Sequence, residues 1–364
     1  MTFVSTKQLA VIAALGLSLA LYSPSQAQQP KLSTGLEQTE QKRAPGLLKS
    51  LKNKITRNGS LEFELDVEAQ RAQGQDSPAE RRRDVSSLNP MLDISYLHQV
   101  TTFSQVFITA QLFGSYYGDD SPDQAQAGFD GRLDQAYFHL AQRGDGLGIR
   151  IGRQRFRDRM RWIYDADLDG VRLFANAGRF EYELSYSQEE WLGASSLPRA
   201  DEISNAIAVM RVDLPAKREL SVYLIQRDEQ AFGDNRENKR LYVGVQSIGR
   251  IKPIGRYWLN AAYLNGQELR ASGERDLRSY GMDAGLIHSS DAIRGLSFTL
   301  GAAYGSGDAD RSTDGDGNFR QTGLQDNRFR FDGLARFKYL GEVIDTDLSN
   351  ISVLTAGIGY RHKK

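Results

Sequence analysis

The sequence predicts an all-β protein, a transmembrane antiparallel up-and-down β-barrel of which about 14 strands are visible. Three observations carry this. From Gly59 onward, apolar and polar residues alternate with period two. The stretches between the alternating runs are alternately short and long. The chain of 364 residues also opens with a secretory leader and contains no cysteine, which fits a bacterial envelope better than an oxidising eukaryotic compartment.

Residues 1–27 read as the leader. Lys7 supplies the positive end and Leu9 to Tyr22 the apolar run. Ser25-Gln26-Ala27 is a small-x-small cleavage signal, so processing is expected near Ala27-Gln28. The apolar run is too short to span a bilayer as a helix. Residues 28–57 are polar, with Lys49, Lys52, Lys54 and Arg57, and read as an N-terminal leader before a barrel domain at 58–364.

Within that domain, Leu61, Phe63, Leu65 and Val67 alternate with Glu62, Glu64, Asp66 and Glu68. Later runs repeat the pattern: Tyr182, Leu184 and Tyr186 against Glu181, Glu183 and Ser185, and Phe298, Leu300 and Ala302 against Ser297, Thr299 and Gly301. Each run is roughly 9–14 residues, the length of a tilted membrane strand. No helix supplies a second apolar layer, so lipid is the expected cover for the apolar faces and water for the polar ones. Glu181, Glu183 and the other acids of the polar faces are expected to pair with bases on neighbouring strands. Short connections fall at Thr101-Thr102, Arg143 to Gly146, Asn176 to Gly178, Pro215 to Arg218, Lys252 to Gly255 and Ser289 to Ile293. Long ones fall at Gln70 to Asn89, Tyr117 to Gly128, Arg157 to Leu168, Trp191 to Ser204, Gln230 to Lys239 and Gly266 to Glu274. Short turns face the periplasm in such barrels and long loops face out.

One stretch stands apart. Leu147 to Phe174 reads LGIRIGRQRFRDRMRWIYDADLDGVRLF, with Arg153, Arg155, Arg157, Arg159 and Arg161 at every second position. In an extended chain this spacing sets one row of guanidinium groups on one face. Such a row binds carboxylates in bidentate fashion. The bland alternative is a loop that neutralises itself through Asp158, Asp165 and Asp167. The longest connection, from Gly305 to about Asn350, carries glycine-spaced acids at Asp308, Asp310, Asp314 and Asp316. Read from Asp310, the EF-hand pattern fails at its twelfth position, Gln321. A solvated loop is the expectation there, with a loose Ca²⁺ site as the secondary reading.

The zero formal net charge gives no general basic excess, and nucleic acid is not an expected partner. No GxSxG or HExxH motif is present. His288-Ser289-Ser290-Asp291 is only faintly similar to the His-x-Ser-Asn of an outer-membrane phospholipase, and no enzymatic role is expected.

The run GRQRFRDRMRWIYDADLDGVRLF resembles the alginate-export family of outer-membrane porins. GSGDADRSTDGDGNFRQTGLQDNRFRFDGLARFKYLGEVIDTDLSNISVLTAGIGY and RLDQAYFHL (Arg132 to Leu140) resemble it too, and the likeness runs from about Leu88 to Tyr360. The resemblance implies a barrel passing an anionic uronic-acid polysaccharide, such as alginate, through an arginine-rich constriction. Carried over by position, Arg153, Arg155, Arg157, Arg159, Arg161 and Arg172 form the first part of the path, ordered by Asp158, Asp165 and Asp167. Arg320, Gln321, Asn327 and Arg328 form the second. Outer-membrane lipid, periplasmic export components and a monomeric state are further expectations from the resemblance. The family's barrel has eighteen strands, and two readings of the difference follow: a chain shortened at its C-terminal side, which is favoured, or a smaller closed pore. The alternative function is an uptake porin for small anions or oligosaccharides.

Overall fold

The computed structural model describes residues 51–56, 59–72, 85–119, 126–141, 146–189, 201–231, 237–270, 273–290, 292–308, 315–327 and 347–360. The strands are β1 (Leu51–Thr56), β2 (Gly59–Ala72), β3 (Val85–Thr101), β4 (Ser104–Asp119), β5 (Gln126–Ala141), β6 (Gly148–Arg157), β7 (Asp165–Ala177) and β8 (Phe180–Gln188). They continue as β9 (Asp201–Leu214), β10 (Arg218–Ala231), β11 (Glu237–Ile251), β12 (Gly255–Arg270), β13 (Gly273–Ser289), β14 (Leu296–Gly305), β15 (Gly315–Asp316) and β16 (Ile351–Tyr360). Each long strand pairs antiparallel with its neighbour in sequence. This is the up-and-down order that local hairpin turns impose.

The chain divides into two compact units. The first holds β1 to β5 and Arg150–Gln154 of β6. On one face of its sheet Leu65, Val67, Ile108, Phe138 and Leu140 stand exposed. On the other, Phe107 packs on Tyr137 with ring centroids 5.2 Å apart. The Arg150 guanidinium lies 4.6 Å over the Tyr137 ring, and Gln111 donates to Asp93 Oδ1 at 2.5 Å.

The second unit holds the rest of β6 and everything after it. One face of its sheet exposes Leu173, Leu184, Tyr186, Val222, Val243 and Leu300. The other carries buried Tyr223, Ile225, Tyr242 and Leu264 together with buried polar Ser185, Gln246 and Asn260. An apolar face this continuous suits lipid rather than water. Glycines make room for the large rings of the core face. A Cβ at Gly244 would meet the Tyr223 ring, and one at Gly285 the Trp258 ring.

The core of this unit is not built by the sheet alone. Phe156 comes from the end of β6, Met160, Trp162, Ile163 and Tyr164 from the segment that joins β6 to β7, and Phe319 and Leu324 from the long connection after β14. Both segments fold onto the core face. We call 158–164 the first loop and 315–327 the second.

The boundaries differ from the sequence reading in three ways. Leu51–Thr56, expected in the polar leader, is strand β1 and pairs with β2. Strands run past the expected loop edges: β2 continues to Ala72, β3 begins at Val85 and β12 continues to Arg270. These extensions lack the apolar alternation because ladder hydrogen bonds hold them beyond the apolar band. Finally, β7 already begins at Asp165, inside the expected loop. The leader peptide, Arg143 to Asp145, Trp191 to Ala200, Asp310, Asp314 and Arg328 lie outside the described residues.

Candidate functional site

The first loop is organised by Asp158. Its Oδ1 accepts the Met160 N–H at 2.7 Å, and its Oδ2 accepts the N–H groups of Ile163 at 2.8 Å and Tyr164 at 3.0 Å. Its own N–H donates to the Tyr164 carbonyl at 3.0 Å, closing the loop. A carboxylate is suited to this because it offers several lone pairs and a charge to converging amides. Gln246 of β11 donates to Asp158 Oδ1 at 3.0 Å and to Asn260 Oδ1 at 2.7 Å. Asn260 and Trp258 both donate to Asp283 Oδ2 at 3.2 Å. The loop is thereby keyed to β11, β12 and β13 through one buried polar chain.

The second loop locks onto the first. Asp165 N–H donates to the Leu324 carbonyl at 2.6 Å, and the N–H groups of Asp326 and Asn327 donate to the Arg161 carbonyl at 3.2 and 3.1 Å. Gln321 Nε2 donates to the Trp162 carbonyl and Thr322 Oγ1 to the Ile163 carbonyl. Gln321 and Asn327 also exchange amide hydrogen bonds at 3.1 and 3.2 Å. The Trp162 and Phe319 rings stack with centroids 6.1 Å apart. Arg161 adopts φ 52° and Asn327 φ 51°, left-handed conformations that turn each chain back at the junction. The second loop is seated on β13, where β15 pairs in parallel with Asp276 and Leu277, in the half of that strand beyond its pairing with β14.

Sequence reasoning expected one row of arginines, and the structure divides it. Arg153, Arg155 and Arg157 do share a face, but it is the face of exposed Ile151. Gln154, Phe156 and Asp158 take the buried side. Arg153 donates to the Leu133 carbonyl at 3.1 Å, and Arg157 is half-buried. Arg155 clamps β6 to β7, with Nε 2.6 Å from Asp165 and Nη1 2.9 Å from Asp167. The row ends at Arg157, because the chain turns at Asp158. Arg159 then reaches Glu219 of β10 at 3.1 Å, and Arg161 lies 3.2 Å from both Asp165 and Asp326. Arg172, on the core face, pairs with Glu183 at 2.8 Å and covers the Phe156 ring at 4.9 Å. Arg320 pairs with Asp316 at 2.5 Å and Glu268 at 3.6 Å. The expected pairing of Glu181 and Glu183 with bases is met by Arg211, 3.7 and 3.6 Å away, and by Arg172.

Two groups of the loops are shifted in pKa. Burial, reinforced by the nearby Glu183 charge, holds the Tyr164 phenol well above its ordinary value, so it stays neutral. Burial opposes ionisation of Asp316, but the Asn318 N–H and the Arg320 guanidinium outweigh it and hold this carboxyl below its ordinary value. Asp308 faces Arg275 at 3.4 Å. These two candidate Ca²⁺ ligands are thus engaged by arginines, and no cluster of three or more His, Asp or Glu side chains arranged for a metal occurs among the described residues.

Two features were missed in the sequence: the keying chain of Gln246, Asn260 and Asp283, and the role of Glu219 as partner of Arg159. Each is a lone polar residue on a strand. Only the register and the returning loop bring them together.

An up-and-down antiparallel sheet with one apolar face, and with long connections folded onto the other, defines an outer-membrane channel protein of the β-barrel class. A profile described as Alginate export matches residues 59–363, and the chain belongs to that family. Its class is therefore an outer-membrane porin or export channel, a transport protein rather than an enzyme. No curated protein matches the chain in sequence. Solved structures similar to it include OmpT of Vibrio cholerae, at 9% identity over 86% of this chain and 99% of that one with a TM-score of 0.38. OprB of Pseudomonas putida is another, at 11% identity over 67% and 87% with a TM-score of 0.28.

Proposed function

We propose that the protein passes an anionic uronic-acid polysaccharide, alginate-like, through a constriction made by the two interlocked loops. The observation that carries this reading is the placement of Arg159, Arg161 and Arg320 on those loops, each on a carboxylate partner, within a chain of the alginate export family. Arg172, beside them on the core face, completes the set. Arg159 is the most accessible, with 47% of its side chain exposed. Arg155, on the far face of β6, holds β6 to β7 behind the constriction through Asp165 and Asp167.

The pairing suits transport. A polymer carboxylate that displaces Glu219 from Arg159 exchanges one guanidinium–carboxylate contact for another of the same kind. The net gain per site is then small, and a long chain moves by many shallow exchanges rather than one tight capture.

The test is single-channel conductance in a planar bilayer, with and without polyuronate. Anion-selective current blocked by the polymer is the expected result. In R159S/R320S the anion preference falls, and an unchanged anion-to-cation permeability ratio removes these arginines from the path. Current carried by small anions but untouched by polymer assigns the channel to uptake of small anions or oligosaccharides instead.

A further inference from the structure

The arginines of the core face are neutralised by carboxylates, whereas five of the bases at one edge of the same unit form no ion pair among the described residues. Four short turns follow one another along that edge, between β7 and β8, β9 and β10, β11 and β12, and β13 and β14. They present Arg179, then Lys217 and Arg218, then Arg250, Lys252 and Arg256, then Arg294, all exposed. Among the described residues, Arg179, Lys217, Arg250, Lys252 and Arg294 form no ion pair, and the Arg218 Nε donates to the Pro215 carbonyl at 2.9 Å. The sequence of this edge adds only Asp213, Glu219 and Asp291 as acids. Seven bases less three acids leave a formal charge of four positive, in a chain whose total is zero.

These charges act together. Successive turns are two strands apart, about 10 Å, against a Debye length of about 8 Å at physiological salt. The edge also leads to the first loop. A cavity of about 400 Å³ lies between Lys217, Arg218, Asp213, Leu214, Ile248 and Glu219. Glu219 is the residue that holds Arg159. The most accessible loop arginine therefore hangs one residue away from the basic turn.

We propose that this short-turn edge is an electrostatic docking site for the incoming polyanion, which hands its carboxylates through the Lys217–Arg218 cavity to Arg159. The inference rests on the polyuronate reading above. It adds a direction, since short turns face the periplasm in outer-membrane barrels. A charged edge of this kind acts on the rate of encounter more than on the lifetime of the bound state.

The experiment separates the two. In an oriented bilayer, polyuronate is added to one side at a time, and block frequency and block duration are read separately. The comparison is wild type against R179Q/K217N/R250Q/K252Q/R294Q. Asn is used at 217 because that backbone is left-handed, φ 56°. Heat-modified gel mobility checks that the variant folds. At low salt the variant is expected to lose about tenfold in block frequency from the short-turn side. Block duration and block from the other side stay unchanged, and the difference shrinks in 1 M salt, where the Debye length is about 3 Å. Equal block frequency in wild type and variant overturns the docking site while leaving the polyuronate reading intact. Insertion that depends on anionic phospholipid, together with equal block frequency, assigns the bases to lipid headgroups and overturns it as well. No block of wild type from either side overturns the polyuronate reading and the docking site with it.

Discussion

Replacing Asp158 should release the first loop, and the arginines that make the loop interesting also report on it. Asp158 accepts three backbone N–H groups within 3.0 Å and one side-chain amide at 3.0 Å. Asp158→Asn keeps one oxygen but places an NH₂ where Oδ2 receives Ile163 and Tyr164. Two charge-assisted hydrogen bonds are lost and donors then face donors. At about 1.5–3 kcal/mol for each such bond, the loop loses about 3–6 kcal/mol of local stability. That raises the population of the released loop by about two to four orders of magnitude. Trypsin cuts after arginine, so the released loop becomes a substrate at Arg157, Arg159 and Arg161, while the wild-type loop resists. Single-channel records from the same preparation should show larger conductance and more open-state noise. Asp158→Ala, which removes all four acceptor contacts, should go further in the same direction. Protection from trypsin and wild-type conductance in both variants would refute the assignment of Asp158 as the residue that shapes the loop.

Two further outcomes follow from the seat of the second loop. Gly281→Ala places a methyl group against the Phe319 ring, so the ring and its stack on Trp162 must shift. The expected result is a noisier channel with little change in the heat stability of the strands, and a wild-type record would show that the stack does not hold the loop. The Asp316 carboxyl has a lower pKa in the folded protein than the ordinary value of about 3.9. Its contribution is therefore fully present above that value and is lost only as the pH falls through its depressed value. Conductance noise should be the same at pH 5 and pH 7 and should rise below pH 4. A rise between pH 7 and pH 5 would point to another group.

The strands were legible because period two needs only neighbours in sequence. Leu184 and Tyr186 against Glu183 and Ser185 already state which face meets lipid and which meets partners. The loops were legible as places but not as shapes. Five arginines at alternate positions predict a row only while the chain stays extended. Asp158 draws in the amides of residues 160, 163 and 164 and ends that extension. The sequence showed the arginines and the aspartates but not which aspartate would serve the backbone. The same holds for Asp165 and Asp167, which clamp Arg155 across two strands. The docking of the second loop was out of reach for a different reason. Gln321 and Thr322 meet the carbonyls of Trp162 and Ile163 across a separation of 159 residues, and period and propensity carry no information over such distances.

The contrast between the two sets of bases bears on how a channel for a charged polymer works. Unpaired arginines in a narrow bore would hold a carboxylate too long, because a desolvated ion pair is hard to leave once its partner is gone. Arginines that keep a resident acid present the polymer with an exchange instead. Exchange is slow to begin unless the polymer is concentrated at the entrance. On the proposed reading the short-turn edge meets that need, with Arg179, Lys217, Arg250, Lys252 and Arg294 free of acids among the described residues. Attraction is placed where encounter happens and neutrality where sliding happens. If both kinds of base had been gathered at the loops, encounter and release would be set by the same charges. Any gain in the rate of capture would then be lost again in the rate of escape.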